Sequence, residues 1–243
     1  MVLRIVMLMV YYIALGTGKD IYTFPRIVGG SLANSGEFPY MVSLQVNGNH
    51  KCGGTIINNN TVLTAAHCIM DNITVHAGVN DLNEKGKKFS VASATRHPKY
   101  DSFYYDVGLL KIDGFFTFGS KIRPIVLEDK HVDPDVPCIS CGWGQLNFTS
   151  ETSLLLRYVE LKTISNEVCH IMYTPVDILI GLQHMCSLAK IDHGVCLGDS
   201  GGPLINLEEK QIGIVSFVRP CAVGFPDAYT RISHFLPWIN ENI

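Results

Sequence analysis

The stretch that decides the reading is HGVCLGDSGGP, residues 193–203. It sets Ser200 between Asp199 and the pair Gly201-Gly202, shortly after Cys196. Two glycines suit a tight turn that lifts a hydroxyl clear of its surroundings, and Gly198 lets backbone approach a carbonyl closely. The N–H groups of Gly198 and Ser200 can then point together at a developing oxyanion, with no side chain required. An alcohol at neutral pH is a poor nucleophile; it needs a base within hydrogen-bond reach, and the base needs a group that fixes its tautomer. His67 in LTAAHC (63–68) and Asp106 in YYDVGLLKI (104–112) are the candidates. Taken singly, a histidine beside a cysteine and an aspartate at a strand start are ordinary packing and turn residues. Together, in the order His, Asp, Ser, they carry the catalytic reading.

The rest of the chain bounds that reading. It has 243 residues, 47% of them hydrophobic, and a formal charge of −3. This is enough to bury one large or two small cores. With no long basic run there is no electrostatic footprint for nucleic acid. Residues 1–16, MVLRIVMLMVYYIALG, place Arg4 before an apolar run too short to span a bilayer, with Ala14-Leu15-Gly16 as a small-x-small cleavage site. A signal peptide over 1–16 is expected, hence a secreted, extracellular chain with no membrane partner. Eight cysteines in an exported chain imply disulfides and leave their connectivity open. Asn59-Asn60-Thr61, Asn72-Ile73-Thr74 and Asn147-Phe148-Thr149 are glycosylation sequons, with Asn59 and Asn147 in turn-like polar stretches.

Short apolar runs recur between turn signals: MVSLQV, GTIIN, ITVHAG, KFSVASA, VGLLKI, LRYVELKTI, QIGIVSF and AYTRI. Their spacing and β-branched content predict an all-β sandwich or barrel. Two segments read as helical: one capped around Ser165-Asn166-Glu167 and running to Tyr173, and one over His234–Ile243 with Pro237 near its first turn. The charged, Pro-bearing stretch 128–137, EDKHVDPDVP, reads as a linker between halves of similar size.

With these motifs in place, the chain resembles the chymotrypsin/trypsin-type serine proteases from Arg26 to Ile243. RIVGG at 26–30, LTAAHC, DVGLL at 106–110, CGWG at 141–144, GDSGGP at 198–203 and SFV at 216–218 carry the resemblance. It implies two perpendicular six-stranded β-barrels, about 27–130 and 131–243, with the site at their junction. It also implies His67 as general base, Asp106 as its orienter, Ser200 as nucleophile, and Gly198 and Ser200 as oxyanion hole. Gly108 stands where the family usually has alanine, which predicts slightly looser packing. A G-x-S-x-G elbow is absent, which counts against an esterase. A catalytically dead binding relative would usually lack one of the three residues that this chain keeps.

The same resemblance implies a zymogen with a propeptide over 17–26, cut after Arg26 by a trypsin-like protease. The new Ile27 ammonium would pair with Asp199 and order Gly198; Ser43 and His50 match positions that hold this aspartate in family zymogens. Pairing raises the amine's pKa above its ordinary ~7.7–8.0, so activity should fall reversibly in the alkaline range.

Gly194, Val195, Ser216, Val218 and Asp227 line the pocket for the residue before the scissile bond, by resemblance. Gly194 replaces the floor aspartate of trypsin-like enzymes, and the two valines narrow the slot. The set is similar to that of neutrophil elastases and implies small to medium aliphatic residues. A chymotrypsin-like preference for Leu, Met and Phe is the alternative, since the CAVGFPDAYTRI tail (221–232) resembles arthropod chymotrypsins. Asp227 is either a relocated carboxylate that admits basic side chains or an inert one shielded behind Val195 and Val218. The implied disulfides are Cys52–Cys68, Cys169–Cys186 and Cys196–Cys221. The family partner of Cys138 falls at Asn206, so Cys138 and Cys141 form either a local disulfide or two buried thiols. No zinc pattern appears. Val79 after Gly78 departs from the family's calcium loop, so no metal and no cofactor are expected. Expected partners are protein or peptide substrates, the activating protease, and serpins or substrate-like loop inhibitors; the chain is expected to act as a monomer.

Overall fold

A computed structural model describes residues 28–188, 190–219 and 221–243. The leader, the propeptide, Arg26 and Ile27 lie outside the described residues. Twelve strands close two antiparallel barrels. The first joins β2 (Met41–Val46), β3 (Asn49–Ile56), β4 (Thr61–Thr64), β5 (Ile73–Ala77), β6 (Lys87–Arg96) and β7 (Gly108–Ile112) in the order β2-β3-β4-β7-β6-β5. The second joins β9 (Pro137–Gly142), β10 (Arg157–Ile164), β11 (His184–Leu188), β12 (Pro203–Asn206), β13 (Lys210–Phe217) and β14 (Asp227–Arg231), closed by the β9–β10 pairing. Two short strands extend the second barrel: β1 (Ser31–Leu32) pairs with β10, and β8 (Val126–Leu127) lies parallel to β13.

Closure removes every free edge, so alternation alone decides which side chains enter each core. Val42, Leu44, Val62, Val75 and Leu110 fill the first barrel. Val159, Leu161, Met185, Leu204, Ile212 and Tyr229 fill the second. The eight apolar runs fall on strands. The runs do not mark β4, β9, β11 and β12, which are short or carry Cys, Ser and Thr where an apolar residue would have flagged them. The helix α1 (Asn166–Tyr173) starts where expected, with Ser165 Oγ accepting from Val168 N at 3.2 Å. The last helix, α2 (Ile232–Asn242), begins two residues earlier than its sequence suggests, so Pro237 sits beyond its first turn. The reason is packing: Ile232, Phe235 and Ile239 close the end of the first barrel.

Gly108 does not loosen the structure. The space of a Cβ there is taken by Ile69, whose Cδ1 would lie 2.7 Å away. Cys138 and Cys141 are both free and buried. Residues three apart on a strand face opposite ways, and these two thiols enter separate apolar clusters. Cys138 lies directly across from Asn206, the position of its missing partner.

Candidate active site

The site forms where the two barrels meet. Asp106 enters the first barrel's β7 just upstream of its start and is 1% exposed. Its Oδ2 accepts from His67 Nδ1 at 2.7 Å and from Ser216 Oγ at 2.6 Å, while Oδ1 accepts from the His67 backbone N–H at 3.0 Å. A carboxylate holding both the ring and the backbone of one histidine fixes which ring nitrogen carries the proton, leaving Nε2 as acceptor. Thr230 Oγ1 donates to the Asp106 carbonyl at 2.7 Å, tying it to β14. Thus two of the four bonds that organise His67 and Asp106 arise within the first barrel's motifs, and the second barrel supplies the other two, Ser216 on the carboxylate and Thr230 on the carbonyl. Ser216 was expected among the pocket residues; its hydroxyl is turned to Asp106.

His67 lies in a short 3-10 turn, Ala66–Cys68, stapled to β3 by the Cys52–Cys68 disulfide. The Ser200 turn is pressed against that staple. Gly53 N donates to the Ser200 carbonyl at 2.8 Å, and a Cβ on Gly201 would stand 2.2 Å from Thr64 Oγ1 and 3.2 Å from Cys68 Sγ. Only a glycine at φ +78° fits. Asp199 N donates to the Cys196 carbonyl and Gly202 N to the Asp199 carbonyl, closing the turn. By contrast the N–H groups of Gly198 and Ser200 have no acceptor among the described residues. Gly198 has φ +96°, a conformation that favours glycine.

Asp199 is wholly buried, and its carboxyl occupies the space beside the two glycines of CGWG. A Cβ on Gly142 would lie 2.2 Å from Asp199 Oδ1, and one on Gly144 would lie 2.3 Å from Oδ2. Gly144 N donates to Oδ1 at 2.8 Å and Cys196 N to Oδ2 at 2.9 Å. Burial nevertheless pushes the Asp199 carboxyl up to about 7. His50 and Ser43 do not touch it here. His50 bonds Ser43 Oγ at 2.8 Å and the Gly198 carbonyl at 2.9 Å. Val28, the first described residue, pairs with Gly194.

Four of the residues expected to line the pocket, Gly194, Val195, Val218 and Asp227, lie together. Val195 is fully buried in one cluster with Val215 and Tyr229, and Val218 packs half-buried against it. Asp227 Oδ2 accepts from Val195 N at 3.1 Å and would meet a Cβ on Gly194 at 2.9 Å. Burial, with the Asp199 charge adding to it, pushes the Asp227 carboxyl up to about 8. The wall is pinned by Cys196–Cys221, and Cys169–Cys186 ties α1 to β11. Among the described residues the cluster of metal-ligating types is Cys52, His67 and Cys68, whose two sulfurs are bonded to each other. Asn59, Asn72 and Asn147 are all exposed.

Sequence reasoning missed Thr230, the hydroxyl role of Ser216 and the housing role of Gly142 and Gly144. The glycines flanking Trp143 in CGWG were a visible signal; the two hydroxyls had none.

Two closed barrels carrying this site define the class of two-barrel serine endopeptidases. The trypsin family's profile matches residues 27–239, and the chain belongs to that family. It is 36% identical to hypodermin-B of Hypoderma lineatum over 226 residues, 89% of this chain and 87% of that protein. It is 34% identical to chymotrypsin-2 of Vespa crabro over 225 residues, covering 89% and 99% of the two chains. A serine protease of Anopheles gambiae, SP24D, is 34% identical over 227 residues, 90% of this chain and 81% of that one. The chain is a serine endopeptidase. No helix among the described residues is long and apolar enough to cross a membrane.

Proposed function

We propose that this endopeptidase is secreted as a zymogen and cuts after small to medium aliphatic residues through Ser200, His67 and Asp106. Ser200 Oγ attacks the scissile carbonyl and its proton passes to His67 Nε2. The oxyanion takes the N–H groups of Gly198 and Ser200. His67 then gives the proton to the leaving amine, and water releases the acyl group by the same steps in reverse. This sequence is inherited from the family's general mechanism. The observation that carries it is the pair of unengaged amides on Gly198 and Ser200, in a turn packed against the Cys52–Cys68 staple that also holds His67, whose ring proton is bonded to a buried carboxylate.

Removal of residues 1–16 and cutting after Arg26 precede this chemistry. The freed Ile27 ammonium neutralises Asp199, whose carboxyl the uncut chain buries without a cation among the described residues. The preference for aliphatic side chains rests on Val195 and Val218, and on Asp227, whose carboxyl is pushed up to about 8 by burial, weakening the charge it can offer to Arg or Lys. One methylene is worth about 1–3 kcal/mol in such a slot, so discrimination is graded. The Cβ-less floor at Gly194 favours a second reading, Leu, Met and Phe.

Amide substrates bearing Val, Phe or Arg before the scissile bond test the pocket: Val above Phe above Arg is expected, and Arg above Val overturns it. An uncut Arg26→Gln chain should be inactive; full activity would remove the zymogen step.

A further inference from the structure

Four polar side chains are buried on the outward face of the first barrel, and they form one continuous chain of hydrogen bonds. On β2, Ser43 and Gln45 alternate with the core residues Val42 and Leu44; Ser43 lies opposite His76 on β5, and Gln45 opposite His50 on β3. All four are at most 8% exposed. His50 Nε2 faces the Gly198 carbonyl at 2.9 Å, so it carries the hydrogen, and Nδ1 accepts from the Ser43 hydroxyl at 2.8 Å. Ser43 Oγ accepts in turn from Gln45 Nε2 at 3.3 Å. The second Gln45 N–H reaches His76 Nδ1 at 3.2 Å, and His76 Nε2 reaches the Lys85 carbonyl at 3.3 Å. Burial holds both rings neutral, with His50 pushed down to about 4 and His76 shifted the same way. Every link therefore runs in one direction, from Gln45 outward to both ends.

We propose that Gln45 and His76 are positioning residues for the oxyanion hole, acting through Ser43 and His50 on the Gly198 carbonyl and hence on ψ of Gly198, between the two oxyanion-hole amides. The physical need is clear at Gly198. A glycine at φ +96° has little intrinsic preference for ψ, and ψ is what the His50 bond to its carbonyl fixes. That bond requires the tautomer with hydrogen on Nε2, which requires a hydroxyl donating to Nδ1. The Ser43 hydroxyl could instead swing elsewhere; Gln45 fills its lone pair with a donor and leaves it His50 as its target. Gln45 itself could flip end for end, which would present its oxygen to Ser43 and reverse the chain. His76 prevents this, because its bare Nδ1 demands the amide N–H. Gln45 Oε1 is left buried with no partner. A native structure retains such an orphan where a larger demand fixes the group, and here that demand is two acceptors on the nitrogen side. The far end is closed by Gly86, where a Cβ would lie 2.6 Å from His76 Nε2. The loop at Lys85 is thus connected, by side chains alone, to the carbonyl of Gly198 and so to the Gly198–Asp199 peptide that leads into Ser200.

The inference rests on the oxyanion role given to Gly198, and its test separates the two. In the processed enzyme, Gln45→Met keeps the volume and removes both donors. We expect kcat to fall about tenfold, the rate equivalent of one lost hydrogen bond, with KM unchanged. The Ki of a peptidyl trifluoromethyl ketone, which forms a tetrahedral oxyanion on Ser200, should rise by the same factor. His76→Leu should reproduce part of both changes, and His76→Gln, which again offers an acceptor to Gln45, should restore them. If Gln45→Met does not fold, the His76 pair makes the same measurement. Folded variants with unaltered kcat and ketone affinity, or with KM rising in place of a kcat loss, overturn the proposal. A Ser200→Ala control reports separately on the proposed function: activity at the parental level there would remove Ser200 as nucleophile, whatever the Gln45 and His76 variants do.

Discussion

Replacing Gly144 by alanine tests how tightly the Ser200 turn is housed. The added methyl would stand 2.3 Å from Asp199 Oδ2, 2.4 Å from Cγ and 2.6 Å from Oδ1, where ordinary contact begins near 3.4 Å. The carboxyl must therefore retreat by about 1 Å. It has nowhere to go alone. Gly144 N and Cys196 N both hold it, and its own backbone closes the turn through bonds to Cys196 and Gly202. Displacement passes directly to Gly198 and Ser200, its neighbours in the chain. A misplacement of about 1 Å in a reacting geometry costs on the order of a hundredfold in rate. We expect Gly144→Ala to lose about that much kcat/KM on a chromogenic peptide amide, normalised by active-site titration, while the far-UV spectrum stays native. Gly119→Ala, at a glycine with no atom within 4 Å of the new methyl, is the control and should be unchanged. A folded Gly144→Ala enzyme within about threefold of the parent would refute the reasoning, because the contact leaves no room for a tolerant answer.

Three further predictions follow from the same geometry. Ser216→Ala removes the 2.6 Å bond to Asp106 Oδ2 and should lower kcat/KM roughly tenfold with little change in KM, since a hydrogen bond to a buried charge is worth about 1.5–3 kcal/mol; an unchanged rate contradicts it. Cys138 and Cys141 are buried and their thiols are pushed upward, Cys138 to about 12, so neither should react with a thiol reagent in the native protein and two should appear in denaturant. Thiols that react while the protein is folded would contradict their placement. In the uncut chain the Asp199 carboxyl, raised to about 7 from an unfolded value near 4, favours folding below pH 4 and loses that contribution as pH climbs to 7. The stability of Asp199→Asn relative to the parent, from urea unfolding, should therefore rise by a few kcal/mol between pH 4 and 7; a flat difference would show that the carboxyl ionises freely.

Much of this was legible in the sequence, and the pattern of what was not is physical. GDSGGP, LTAAHC and DVGLL mark chemistry because serine activation restricts residue types, and the structure brings their neighbourhoods together. Ser216 and Thr230 could not be read, since a hydroxyl on a β-strand has no local reason to point at a carboxylate more than a hundred residues away. Alternation along MVSLQV puts Val42 and Leu44 on one face of a strand and Ser43 and Gln45 on the other. Yet Ser43 and Gln45 are as buried as the valine, because the second barrel's Gly198 turn and the loop at Lys85 cover the outer face. Alternation reveals which side meets the strand's own core and is silent about what another domain lays over the reverse. Likewise the short strands β9, β11 and β12 became strands through pairing with neighbours far away in the chain.

The central claim is that Ser200 is made reactive by His67 under the control of Asp106. Labelling the chain cut after Arg26 with a peptidyl phosphonate, followed by peptide mass mapping, tests it most directly. The account predicts a single adduct on Ser200 that His67→Ala reduces to background. An adduct elsewhere, or labelling of Ser200 at full rate without His67, would contradict it.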